Sequence, residues 1–210
     1  MLDEEKEESR RMQESEIGLK SRFLFDEIPE YGYHLAISAI YDVRIDDVQG
    51  FLKDLRKNLH PVRVQAFDAR KIAGRLHIYF ATLFALKAFE LGINVSREIE
   101  LEVLTIASCQ RQIAKAIEML GLKDGIGTVA LLLMAEDAKA LESAISKLDA
   151  FYGDSLSPSP LAISSEKMKE LKDLFEISDT QLAAEVEAKI PEKALTNLII
   201  EKMSLQLGRR

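Results

Sequence analysis

Arg70, Lys71 and Arg75 stand near the start of one helical pattern, and Arg111 and Lys115 near the start of another. A cation at a helix N-terminus opposes the macrodipole, at a cost of a few tenths to about 1 kcal/mol. Backbone N–H groups with free hydrogens, joined by nearby cations, form a phosphate site. Anion binding is therefore the chemistry these residues suit. The plainer alternative is a pair of solvated helix starts, offset by acids elsewhere. Other chemistries lack their constellations. Cys109 is the only cysteine and has no nucleophile signature around it. His34, His60 and His77 fall in unrelated segments without metal-ligand spacing. The glycines of Gly121–Gly127 match neither the Walker pattern nor the dinucleotide fingerprint and read as a turn. No catalytic residue, metal or cofactor is expected.

The last helical pattern is a second feature with a functional reading. Leu195, Leu198, Ile199, Ile200, Met203, Leu205 and Leu207 cover roughly 240° of arc, where one core-facing side needs about 100°. Either the helix is sandwiched within its own domain, or one side packs on the body and the other on a partner.

The elements that must carry these residues follow from periodicity. Residues 34–45 alternate, with Leu35, Ile37, Ala39, Tyr41, Val43 and Ile45 as the apolar set, which predicts a half-buried strand. Asp46 or Asp47 caps a helix with Val48, Phe51, Leu52, Leu55 and Leu59 inward. A second strand follows Pro61. Asp68 is expected to cap one long helix reaching Leu91, closed by Gly92. Two more helices are expected, Ile99 to Ala107 and a third with Ile113, Ile117 and Leu120 inward, stopped at Gly121. Residues 127–134 read as a strand buried on both faces. Asp137 or Glu136 starts the next helix, with Ala138, Leu141, Ile145 and Leu148 inward. Residues 152–164 read as a linker. Helices follow: one with Met168, Leu171, Leu174 and Phe175 on a face, one capped by Ser178 and Gln181 before Leu182 and Val186, and the last after Pro191. The sum is an α+β fold, a small mixed or antiparallel sheet packed by several helices with a helical C-terminal part.

The chain has 210 residues, 47% of them hydrophobic and 30% charged, with a net charge of −7. That length supports one domain, placed at residues 31–210. Residues 1–30 read as an acidic extension; residues 1–16 carry seven acids and three bases. Segment 21–33 adds Phe23, Leu24, Phe25 and Ile28 before Pro29, a short piece lying on the body. The acidity of the extension leaves the body nearly neutral, which argues against general nucleic-acid binding but permits local basic patches. No apolar run is long enough to span a bilayer, and the charged start does not resemble a secretory signal. A cytoplasmic location is the expectation.

Two blocks carry a resemblance. One is Ala73-Gly74-Arg75-Leu76-His77-Ile78, followed by Ala81, Ala85 and Ala88. The other runs from Glu102-Val103-Leu104 through Ser108-Cys109-Gln110-Arg111-Gln112-Ile113 and Ala116-Ile117 to Gly121-Leu122-Lys123-Asp124-Gly125. In these the chain resembles the PRPK-binding-protein family, the kinase-binding subunit of the KEOPS (EKC) complex. The family has a glycine where this chain has Cys109, and a side chain there would narrow a ligand pocket. The resemblance implies a non-catalytic subunit with two partners, the small atypical kinase/ATPase of the complex and tRNA. The tRNA would be held by its 3′ CCA end and recruited for threonylcarbamoyl-adenosine modification. On this reading Arg70, Lys71, Arg75, Arg111, Lys115 and Lys123 bind RNA, while Leu195, Leu198, Ile199, Ile200, Met203 and Leu207 meet the kinase. No membrane and no small-molecule substrate enter it. The nucleus is a further location if the source is eukaryotic. A protein-only adaptor or allosteric regulator of a kinase is the alternative. Gathering of the six cations on one face would favour the first reading, and dispersal the second.

Overall fold

A computed structural model describes residues 21–185 and 189–209. Residues 1–20 of the expected extension, and Val186, lie outside the described residues. Four strands form one antiparallel sheet: β1 (Leu24–Ile28), β2 (Tyr33–Ile45), β3 (Arg63–Asp68) and β4 (Gly125–Ala135), in the order β1-β2-β4-β3. The helices are α1 (Val48–Leu59), α2 (Gly74–Glu90), α3 (Ile99–Ala107), α4 (Ile113–Leu120), α5 (Ala138–Tyr152), α6 (Ser165–Leu174), α7 (Asp179–Ala184) and α8 (Pro191–Leu207). The fold is α+β, as the periodicities predict, and the sheet is antiparallel throughout.

Helices cover both faces of the sheet. Leu35, Ile37, Phe67, Leu132 and Met134 pack with Ile78 and Ala85 of α2, Val103 and Ile106 of α3, and Ile199 and Met203 of α8. Ala36, Ile40, Val64, Leu131 and Leu133 pack with Leu55 and Leu59 of α1 and Leu141, Ile145 and Leu148 of α5. The central strand β4 is apolar from Val129 to Ala135 because it has no solvent side.

Strand β2 corrects its expected half-buried pattern. Both of its faces are buried from Leu35 to Ile40. Its pairing with β4 then slips between Ile40 and Val43, leaving an extra residue, and Asp42 takes a φ of 56°. One inserted residue exchanges the two faces of a strand. Ile45 therefore joins the α1–α5 side although it has the parity of Leu35 and Ile37.

Three further expectations change. Segment 21–33 holds β1, so the sheet begins inside the stretch assigned to the extension. Its signal is weak because an edge strand with two acids shows little alternation. Asp68 does not cap a long helix. Its side chain accepts from Arg70 N in a short 3-10 turn, Ala69–Lys71, and α2 begins only at Gly74. In α4, Ala116 and Leu120 are buried, whereas Ile117 is 46% exposed. The 152–164 linker is a strap with Leu156 and Leu161 buried. Ser157 and Ala39 exchange backbone hydrogen bonds at 2.9 and 3.1 Å, which ties the strap to β2 beyond the end of β1. Lys167 anchors its far end by donating to the carbonyls of Pro160 at 2.9 Å and Leu161 at 3.3 Å. Burial pushes that ammonium down to about 8, with Asp68 and Glu170 opposing.

Gly121 closes α4 where its N–H donates to Ile117 O at 2.8 Å. A Cβ at this position would stand 2.3 Å from that same oxygen, and backbone has no rotamer with which to yield. Gly121→Ala should therefore destabilise the protein by about 2 kcal/mol or more, at the large end for point changes. Urea unfolding checks this.

Candidate nucleic-acid and partner interface

Helix α3 ends in a left-handed cap. Cys109 has a φ of 53°, its N–H donates to Ile106 O, and Gln110 N donates to Thr105 O. These are the two bonds of a Schellman ending, whose left-handed position most often holds glycine. The glycine that the resembled family has at this position is thus accounted for by backbone conformation. Cys109 keeps the cap and directs its Sγ to the Ile199 carbonyl. Burial pushes its thiol up to about 12, so at neutral pH it is a packed, protonated group. His77 is buried and occupied as well: Nδ1 accepts from Ala73 N, and Nε2 lies 2.9 Å from Ala107 O.

The turn Ser108–Arg111 forms one wall of a cleft of about 470 Å³. The end of α8 supplies the facing wall with Lys202, Leu205 and Gln206, and Arg209 follows. Met119 of α4 and the turn Leu174–Glu176 complete it. Three cations meet here. Arg111 donates to Arg209 O at 3.1 Å, and Lys202 to the carbonyls of Phe175 and Glu176 at 2.6 and 3.3 Å. Among the described residues none of the three is paired with a carboxylate, and Glu176 is the one acid in the lining. Carbonyl partners orient a cation without neutralising it, so the cleft carries net positive charge. Gln206 links the walls, its Nε2 donating to Gln110 O. That bond fixes the amide and leaves Oε1 buried without a partner.

The structure disperses the six cations. Arg70 and Lys71 sit around Asp68, which accepts from Arg70 Nε and Nη2 at 3.2 and 3.0 Å and faces Lys71 at 3.9 Å, and Lys123 adds its charge beside Lys71. Burial lowers the Lys71 ammonium, and the positive charges of Lys123 and Arg70 lower it further. Arg75 stands apart in a two-pronged ion pair with Asp26 of β1, which neutralises it. Arg111 lies in the cleft. Lys115 is exposed on α4 between them. Arg111 precedes that helix and Lys123 follows it, so about 12 Å of helix separates the two.

The six apolar positions divide differently. Leu195, Leu198, Ile199 and Met203 are buried in the chain's own core. This corrects their expected role as an outward surface: α8 is sandwiched between α2, α3 and the α6–α7 region, so most of its arc is used internally. Ile200 and Leu207 are half-buried, and Leu205, outside the expected set, is 52% exposed. Lys202, Gln206 and Arg209 escaped sequence reasoning because each reads as an ordinary polar position at the end of the chain; only contact with a turn some 90 residues earlier gives them a role.

Residues 45–207 match the family model described as kinase binding protein CGI-121. The chain is also similar to a regulatory protein, Cgi121, of Methanocaldococcus jannaschii, with 28% identity over 116 residues, 55% of this chain and 72% of that protein. Among the described residues no helix is long and apolar enough to cross a membrane.

Proposed function

The chain belongs to the CGI-121 family of kinase binding proteins, and from that premise we propose that it is a non-catalytic KEOPS subunit that binds the complex's atypical kinase and recruits tRNA. The observation that carries the RNA half is the cleft where Arg111, Lys202 and Arg209 converge without a carboxylate partner. Cations held by carbonyls suit the phosphates of a single-stranded end, and Met119 adds an apolar contact for a base. Lys71 and Lys123 form a second phosphate contact, Arg70 being held by Asp68 through two bonds. Arg75, spent on Asp26, drops out of the set. The kinase half rests on the family and is assigned to the outward positions of the same region, Leu205 with Ile117. The site is cytoplasmic on this reading.

The test measures binding of intact tRNA and of tRNA lacking its 3′ CCA at fixed salt. Arg111→Glu, and separately Lys123→Glu, should weaken intact tRNA by about tenfold or more, because each removes a phosphate contact and adds a repulsion, and the salt dependence should become shallower. Kinase affinity should be unchanged in Lys123→Glu. Equal affinity for both tRNAs and all variants would leave the protein-only adaptor, which the dispersal of the cations and the Arg75–Asp26 pair favour.

A further inference from the structure

The edge strand β1 has two unlike faces. On one, Asp26 meets Arg75 of α2. On the other, Phe25 and Glu27 overhang a groove of about 430 Å³ between the strand and the first turns of α5. Its floor is apolar: Phe25 is 45% exposed, beside Leu141 and Ile145. Its rim is acidic. The lining contains Asp26, Glu27 and Glu142 and neither lysine nor arginine. Asp26 is neutralised by Arg75, and Glu27 lies 3.2 Å from His34 Nδ1. Glu142 has no side-chain partner among the described residues. The order β1-β2-β4-β3 leaves the outer edge of β1 without a strand neighbour among the described residues. An open edge, an apolar floor and an acidic rim, on which among the described residues Glu142 is unpaired and Glu27 meets only the imidazole of His34, thus lie side by side. β1 and all of β2 but Ile45 precede residue 45, where the family match begins, so the strand side of this groove lies outside the matched segment and its α5 side within it.

We propose that this edge accepts an extended peptide segment of a partner protein, with basic side chains alternating with apolar ones, as an added strand beside β1. Such a segment supplies the backbone groups that the edge lacks, sets its apolar side chains over Phe25, Leu141 and Ile145, and brings cations to Glu27 and Glu142. Charge selects this occupant. A second copy of the chain would bring another Glu27 and Glu142 against the same rim. The chain's own residues 1–16 are acidic, with seven acids against three bases, and share the rim's sign. RNA is repelled for the same reason.

Three synthetic peptides probe the full chain: (Lys-Val)4, (Glu-Val)4, and (Lys-Val)4 N-methylated throughout. Fluorescence anisotropy should show (Lys-Val)4 binding, with (Glu-Val)4 weaker by about tenfold or more, two rim ion pairs being at stake. The N-methylated peptide should lose binding, because strand addition needs its N–H groups. Hydrogen exchange should place new protection on residues 24–28. The double variant Glu27→Lys with Glu142→Lys, both positions being exposed, should keep its melting temperature and reverse the preference. Arg111→Glu should leave peptide binding unchanged, which separates this surface from the cleft. No measurable binding of (Lys-Val)4 overturns the proposal. So does equal binding in the double variant, unchanged binding after N-methylation, or protection confined to other strands.

Discussion

Met203→Arg should abolish folding of the isolated chain, or lower its melting temperature by about 10 °C or more. Met203 is fully buried among the residues that join α8 to the sheet-facing core. An arginine there buries a charge without a counter-charge, at a cost of several kcal/mol. A native chain has roughly 5–15 kcal/mol to lose, and each kcal/mol moves the midpoint of a chain this size by about 2–4 °C. Leu205→Arg, two residues on and half exposed, should leave stability within about 0.5 kcal/mol. It should instead weaken kinase binding by about tenfold. Thermal melts beside kinase titration separate the two. A Met203→Arg chain that stays folded and loses only the kinase would invert the assignment of the two sides of α8.

The second large effect is in the pH dependence of stability. Burial holds His77 at about 4, against an unfolded value near 6.5, with its hydrogen bond to the Ala107 carbonyl only partly opposing. The unfolded chain therefore takes up a proton as pH falls through 6.5, while the folded chain does so only near 4. Stability is full above about pH 6.5 and declines between there and pH 4, by about 3 kcal/mol in all. Urea midpoints at pH 7.5, 6.5, 5.5 and 4.5 should fall in that order. In His77→Gln the slope between pH 7.5 and 5.5 should largely vanish, even though the variant starts less stable. An equally steep decline in that variant would assign the effect to other groups.

Elements with an unbroken period were legible in the chain. Helices α1 and α5 show a single apolar stripe, β4 a short apolar run, and α7 its Ser178–Gln181 capping box, which is present with both bonds. The misreadings have local causes. The bulge at Asp42 is one residue, invisible in an alternation that continues across it with the wrong face. Asp68 offers the same cap to a 3-10 turn as to an α-helix, and its chemistry does not distinguish them. The excess apolar arc of α8 was real, but its explanation was burial on several sides. Arg111 could be singled out from its position alone. Lys202 and Arg209 could not, because the cleft they share with it exists only after α8 folds back on the end of α3. Nothing in a linear pattern sets Arg75 beside Asp26.

The strand order also governs how the protein meets its first seconds of existence. The centre of the sheet is shared by β2, complete at Ile45, and β4, complete at Ala135. A ribosome adding about 5–20 residues each second needs roughly 5–20 s to cover that interval. Throughout it β2, apolar on both faces from Leu35 to Ile40 apart from Ser38, has no central partner. A nascent chain is then most open to aggregation and to chaperone capture, and a slower codon run between the two strands would lengthen the exposure without altering a single residue of the product.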